Sequence, residues 1–230
     1  MKTKLSRSKK IAIVTAACLV VSMTAFGLYL ELANKLPLAP ILYDYIIDIN
    51  DPSAVAGHVD YVFVGRVELQ NKTIYENVFE RETEDGTETV GFPYTNYDIT
   101  VLENLKGNLK LNEKVPVLKE GGVSIGNKAL VLGEGDFLPE EGDICVFFVS
   151  AQKNGTLLLP GKNFNVKITE SSLTEKKAKN KSAAQIQKLA QDEEKTIKDS
   201  SIYQKLVDAC KNETPFERTR YAAPAEMLMP

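Results

Sequence analysis

Between residues 60 and 168, apolar side chains recur at every second position or in short β-branched runs, a pattern that predicts β-strands. The clearest alternation surrounds Tyr97, Ile99 and Val101, which fall on one face of their strand. An uninterrupted apolar run from Ile144 to Val149 predicts the most buried strand. Further strands are predicted at 61–68, 73–81, 87–92, 113–119, 156–159 and 164–168.

Turn signals separate these strands. Glu84-Asp85-Gly86 is typical of a hairpin turn, and Gly65 inside the first strand indicates a bend or bulge there. Many short strands with Gly- and Pro-marked turns favour a small closed barrel or a sandwich, because closure removes exposed strand edges. The pattern therefore predicts a mainly β domain over residues 60–168.

Helical patterns flank that domain. Asp51-Pro52 predicts an N-cap and first helical position of a short helix that ends near Val59, and the Asp44/Asp48 spacing predicts a helical turn over 41–50. Residues 182–198 carry a thin apolar stripe, and Asp199-Ser200-Ser201 predicts the cap of a second helix. The segment 169–212 is therefore expected to be helical, whereas 213–230 shows no period and is expected to be an unstructured tail.

The amino-terminal end predicts a membrane anchor. Residues 1–10 are basic without an acid, and residues 11–30 are uncharged over a length that spans a hydrocarbon core as a helix. The positive tail is expected in the cytoplasm, so a stalk and short helix (31–59) and everything beyond would lie outside the cell. A cleaved signal peptide, or a lipoprotein cleaved before Cys18, are the alternatives.

The net charge limits the classes of partner, and the cysteine content limits the number of disulfides. Residues 31–166 hold 11 basic and 21 acidic residues, a net charge of −10, which disfavours a nucleic-acid partner and adhesion to anionic lipid. Outside the anchor only Cys145 and Cys210 remain, so at most one disulfide is possible and the domain depends on its hydrophobic core.

Three segments together carry a resemblance to a known type of domain. They are Asp60-Tyr-Val-Phe-Val-Gly65-Arg-Val, Tyr97-Asp-Ile-Thr-Val-Leu-Glu-Asn-Leu-Lys-Gly107 and Leu138-Pro-Glu-Glu-Gly142-Asp-Ile-Cys-Val-Phe-Phe. In order and spacing they resemble exported, mostly uncharacterised proteins of Gram-positive bacteria with one small OB-type or netrin-like barrel. The resemblance implies a fold and a location. The zinc-chelating N-terminal cysteine of inhibitory netrin-like domains has no counterpart here, and the acidic charge and the lack of Trp do not favour the oligonucleotide or oligosaccharide ligands of OB-type barrels.

No residue set predicts catalysis, a metal site or a cofactor site. His58 is the only histidine, so a His-based dyad or zinc site lacks further members, and it is expected to cap the short helix. Ser124 does not have nucleophile-elbow spacing, and Glu140 and Glu141 stand in a turn. The acidic hairpin tip lacks a calcium-loop pattern and is expected to be a solvated edge; it comprises Glu80, Glu82, Glu84, Asp85 and Glu88.

The sequence therefore predicts a non-enzymatic, membrane-anchored binding module of the cell envelope that contacts an envelope or membrane protein. Two alternatives stay open. One is an envelope hydrolase whose carboxylates are brought together by folding, and the other is a structural subunit that packs through its helices at 182–210.

Overall fold

The computed structural model describes residues 36–84 and 86–230, apart from the side chains of residues 175 and 176. The predicted basic tail, the anchor at 11–30 and Asp85 lie outside the described residues. Within the described ranges, no helix is both long and apolar enough to cross a bilayer.

The chain is mainly β with helices at its carboxyl-terminal end. The strands are β1 (Leu38–Ile41), β2 (Tyr61–Thr83), β3 (Gly86–Lys106), β4 (Lys114–Glu120), β5 (Gly122–Val123), β6 (Leu130–Gly133), β7 (Asp143–Ala151), β8 (Leu157–Leu159) and β9 (Asn165–Glu170). The α-helices are α1 (Pro52–His58), α2 (Glu175–Ala178), α3 (Ala183–Asp199) and α4 (Ser201–Lys211), and two 3-10 turns cover Ile125–Asn127 and Ala225–Met227.

The main sheet forms a circuit of hydrogen-bonded strands. Its order is β2-β3-β4-β8-β7-β9, and an additional pairing joins β2 to β7. The pairs are antiparallel except for β4 with β8, which run parallel. A second sheet of three short strands, β1-β6-β5, has β1 parallel to β6.

The core confirms the face assignments made from alternation. Tyr97, Ile99 and Val101 are all buried, and every residue of β7 is buried, as the apolar run predicts. The bulge predicted near Gly65 is present as a shift in pairing between Val64 and Gly65. A Cβ at Gly65 would lie 2.5 Å from Cγ2 of Ile99, so the close approach of β2 to β3 requires glycine there.

Both predicted N-terminal helix caps are confirmed, whereas α1 ends with Val59 as its cap instead of the expected His58. The Asp51 side chain accepts a hydrogen bond from the amide of Ser53, with Pro52 at the first position of α1. Ser200 caps α4 by accepting from the amide of Tyr203.

Residues 41–50 differ from the prediction because they form no helix. Ile41 closes β1, and the residues after it alternate between exposed and half-buried, which is an extended pattern. Pro37 and Pro40 favour extended backbone, and Tyr43 and Tyr45 pack against the main chain at Gly133 and Gly161. Tertiary contacts thus determine the backbone conformation of this segment. The stretch after Gly126, where no strand was predicted, contains β6, which pairs with β1 on one side and β5 on the other.

Residues 213–230 also differ from the prediction, because they pack along the sheet instead of forming a free tail. Arg218 and Arg220 both pair with the carboxylate of Asp60, at 2.6 and 3.1 Å. Ala223 is buried and its amide donates to the hydroxyl of Tyr61, while Leu228 bridges to Leu109. Two charged side chains and one buried alanine hold this segment against the sheet. Such isolated contacts produce no periodic pattern in the sequence.

His58 lies beneath this carboxyl-terminal segment. Its ring meets Phe216 edge-on at 4.9 Å and Phe164 at 6.4 Å. Burial, together with the nearby Arg218 and Arg220 guanidinium groups, lowers the pKa of His58 below its ordinary 6.5, and the Asp60 carboxylate opposes this.

We expect the stability of residues 36–230 to fall as the pH decreases below about 6.5, since the unfolded chain then binds a proton at His58 more readily than the folded one. Above that pH the imidazole is neutral in both states and contributes nothing. His58→Phe keeps an aromatic ring beside Phe216 and removes this titration. Urea unfolding at pH 8 and 5.5 should show a larger loss for the wild type than for the variant, and an equal loss would contradict the assignment to His58.

Candidate functional site

The β2–β3 hairpin continues well beyond the main sheet as an arm, defined here as residues 69–84 and 86–94. β2 pairs with β7 over residues 61–66 and β3 pairs with β4 over residues 95–100, so the rest of the hairpin extends as two strands. On one side the arm rests on the small sheet, where the hydroxyl of Tyr75 donates to the carbonyl of Val123 at 2.9 Å. Its other face is open.

The open face of the arm carries several apolar side chains. Residues 90, 92 and 94 of β3 share a face because they alternate along the strand. Their partners across the hairpin are Phe79, Glu76 and Ile74, so these side chains lie on the same face. Phe79 and Phe92 are 55% and 50% exposed, which leaves two large aromatic rings in water. Two exposed aromatic rings on one face are typical of an interaction surface.

A groove continues this face onto the main sheet. It has a volume of about 610 Å³. Asn96, Leu118 and Leu158 from β3, β4 and β8 form its floor, the arm supplies one wall and the turn between β7 and β8 supplies the other. The wall residues are Ile74, Glu76 and Tyr94 on the arm, and Gln152, Lys153, Asn154 and Thr156 on the turn.

The turn wall has a fixed conformation. The side chain of Asn154 accepts a hydrogen bond from the amide of Thr156 at 3.0 Å, and the amide of Gln152 donates to the carbonyl of Thr156 at 2.8 Å. Burial, followed by the nearby Glu120 and Glu76 carboxylates, raises the pKa of Tyr94, so its phenol stays protonated and can donate a hydrogen bond at neutral pH. The groove therefore combines apolar contacts with amide and hydroxyl groups that suit a polar main chain.

The residues singled out from the sequence lie elsewhere and have structural roles. His58 does not line the groove and packs against Phe216. The hydroxyl of Ser124 accepts from the amides of Lys128 and Ala129, so it shapes a turn. The amide of Glu140 donates to Asp143 in the turn before β7.

The acidic tip is partly neutralised. Glu88 accepts from Lys128 and from Arg81, and these hydrogen bonds lower the pKa of its carboxyl. Among the described residues, no three histidine, cysteine or acidic side chains come close enough to hold a metal ion. Cys145 and Cys210 are free thiols, and burial raises the pKa of Cys145 above its ordinary range.

A second cavity, of about 540 Å³, lies between α3 and the outer side of β2 and β3. Two of its three carboxylates are held by partners. Glu193 pairs with Arg66 at 3.2 Å and accepts from Ser171, and Glu103 pairs with Lys198 at 2.7 Å. These contacts attach α3 to the sheet and provide a structural explanation for Glu103 and Glu193.

No protein-family model, no curated protein and no solved structure matches this chain. The evidence for a site is therefore its geometry.

Beneath the groove floor lies a buried ion pair that sequence analysis missed. Lys119 follows Val115 and Val117 on the buried face of β4, and its Nζ lies 2.7 Å from the carboxylate of Asp136, with both side chains almost fully buried. The ammonium also donates to the carbonyl of Pro160 at 3.3 Å. Burial lowers the pKa of Lys119, and Asp136 opposes that effect. The sequence did contain a signal for this pair, because Lys119 stands two residues after Val117 and four after Val115 and therefore falls on the buried face of the predicted strand.

We expect removal of either partner of this pair to destabilise residues 36–230 by about 3–5 kcal/mol, because the remaining charge stays buried without compensation. Lys119→Ala and Asp136→Ala test this in urea unfolding. Arg81→Ala, which breaks an exposed pair with Glu88, is the matched control and should cost less than about 1 kcal/mol. Equal effects of the buried and exposed substitutions would contradict a structural role for Lys119.

Proposed function

We propose that this protein is a membrane-anchored, extracytoplasmic binding module of the cell envelope, with no enzymatic role, which holds a protein partner along the arm and the groove. We include in the proposal that its β domain is a small closed barrel of the OB type. The circuit β2-β3-β4-β8-β7-β2 supports this, because a sheet whose fifth strand pairs with its first has the connectivity of a five-stranded barrel.

The observation that carries the proposal is the exposed apolar face of the arm. Phe79 and Phe92 contribute nothing to the buried core, so they are better explained by an external contact than by folding. Aromatic side chains are also the groups that most often dominate protein–protein interfaces.

Charge and composition favour a protein as the partner. Glu76 lies in the groove wall and Glu80, Glu82 and Glu88 lie on the arm, so phosphate backbones would be repelled. An extended peptide segment would place apolar side chains against Phe92 and Tyr94. Its main chain would face the amides of Asn96 and Gln152.

The proposed location rests on the amino-terminal sequence. A basic tail followed by 20 uncharged residues favours an anchor with the tail inside the cell, which leaves the acidic β domain outside.

A structural subunit is the second candidate. Ile202 on α4 is 46% exposed, which would suit packing of the carboxyl-terminal helices on another protein.

We expect a photo-crosslinking amino acid at Phe79 or Phe92 of the full-length protein to capture one discrete partner in intact cells. Leu111, an exposed residue in the turn between β3 and β4, is the control position and should capture none. Immunoblots and mass spectrometry of the adducts give the result.

Phe92→Glu should abolish the adduct formed from position 79, because a charge on the shared face prevents burial there. Crosslinks that appear equally from position 111, or that survive Phe92→Glu, would contradict the assignment of the site. A crosslink from Ile202 alone would favour the structural subunit.

A further inference from the structure

The chain from β1 to α1 forms a ribbon, defined here as residues 38–50, that is extended as far as Tyr45, bends at Ile46 and Ile47, and is fixed on its inner side. The hydroxyl of Tyr45 approaches Gly161 so closely that a Cβ there would lie 2.5 Å away, and the Tyr45 ring stacks on Phe164. The side-chain amide of Asn163 donates to the carbonyl of Ile49 at 2.9 Å. The carbonyl of Ile41 accepts from the amide of Glu134.

Because the inner side is fixed, the alternate side chains are held outward. Leu38 is 57% exposed, Leu42 is 81% exposed and Ile46 is 77% exposed. Leu42 and Ile46 exceed in exposure all the other large apolar side chains of the described residues. A β-branched or aliphatic side chain in water loses the free energy that burial would provide, so three on one edge indicate an apolar surface opposite them.

The position of the ribbon in the chain indicates what that surface is. Leu38 follows the end of the 20-residue uncharged stretch at Leu30 by eight residues, which span at most about 28 Å when fully extended. A bilayer that holds this stretch would therefore lie within reach of Leu38 and its neighbours.

We infer that the outward row Leu38, Leu42 and Ile46 rests on the outer surface of the lipid bilayer, at the boundary between headgroups and acyl chains. The inference rests on the proposed membrane anchor and adds a second, non-spanning contact with the same membrane. Segments of this kind bury their apolar side about 5–10 Å into the interface.

Asp44 and Asp48 set the depth and the lipid preference of this contact. Both are exposed on the ribbon, and Asp48 accepts from the amide of Asn50. Carboxylates stay among the headgroups, so the row lies shallowly and prefers zwitterionic over anionic lipid.

The natural chain contains no Trp, so a single introduced Trp reports on one position without background. We expect full-length Leu42→Trp and Ile46→Trp, each in nanodiscs of phosphatidylcholine, to emit at shorter wavelength than Trp in water. They should also lose emission when the acyl chains are brominated. Leu111→Trp, at an exposed turn of the same domain, is the matched control and should show neither effect.

Leu42→Glu added to Ile46→Trp should restore a water-like emission, because a carboxylate in the row opposes immersion. Water-like emission from both single-Trp variants would overturn the inference. Equal quenching at position 111, or quenching that persists with Leu42→Glu, would also overturn it. Shielding that appears in native membranes and is missing in pure lipid would assign the row to a protein partner, which contradicts the inference as well.

Extraction with alkaline carbonate separates the two proposals. A chain released from the membrane without detergent would contradict the anchor itself. A chain that is retained, but whose residues 42 and 46 remain in water, would contradict this inference alone.

Discussion

The pairing of β7 on both of its edges is the constraint on which the rest of the domain depends. This strand is hydrogen-bonded to β2 along one edge and to β8 and β9 along the other, and all nine of its residues are buried. Its pairing with β2 closes the circuit that begins with the same strand. Both faces of β7 therefore need a covering layer, and α1, the carboxyl-terminal helices and Ala223 contribute buried side chains to the same hydrophobic core.

The same constraint explains why the arm exists. β7 has nine residues and pairs with β2 over residues 61–66, whereas β2 has 23 residues. The remaining length of β2 cannot pair with β7 and continues with β3 alone. The bulges in this hairpin, between Gln70 and Thr73 and between Glu76 and Phe79, twist the arm and interrupt its edge. An interrupted edge resists the addition of a further strand to the arm.

The parts of the fold that follow from local pattern were predictable, and the parts that follow from distant contacts were not. The alternation of apolar and polar residues was sufficient to predict that Tyr97 and Ile99 are buried. The capping preferences of Asp and Ser were sufficient to predict that Asp51 and Ser200 begin helices. The extended ribbon was not predictable, because its backbone depends on glycines more than 80 residues away. The carboxyl-terminal segment depends in the same way on Asp60.

The candidate site shows the same division. Alternation marks Tyr94, Asn96 and Leu118 as positions on strands, yet only the register of β3 with β4 and β8 places Asn96, Leu118 and Leu158 on one floor. Apolar residues at 74, 79 and 92 look like core positions in the sequence. Their exposure became evident only from the length of β2 relative to β7.

The ribbon and the arm are not independent surfaces. Ile41 and Tyr43 of the ribbon line one shallow pocket together with Phe92 and Tyr94 of the arm. Glu120 at the end of β4 lines the same pocket beside Tyr43, so the ribbon, the arm and β4 meet there. If the ribbon lies on the bilayer, the groove lies near the lipid, and a partner in the groove must present its segment close to the membrane. Proximity to the membrane would then select the partner as strongly as side-chain contacts do, since a tethered site meets membrane proteins at a much higher local concentration than free ones.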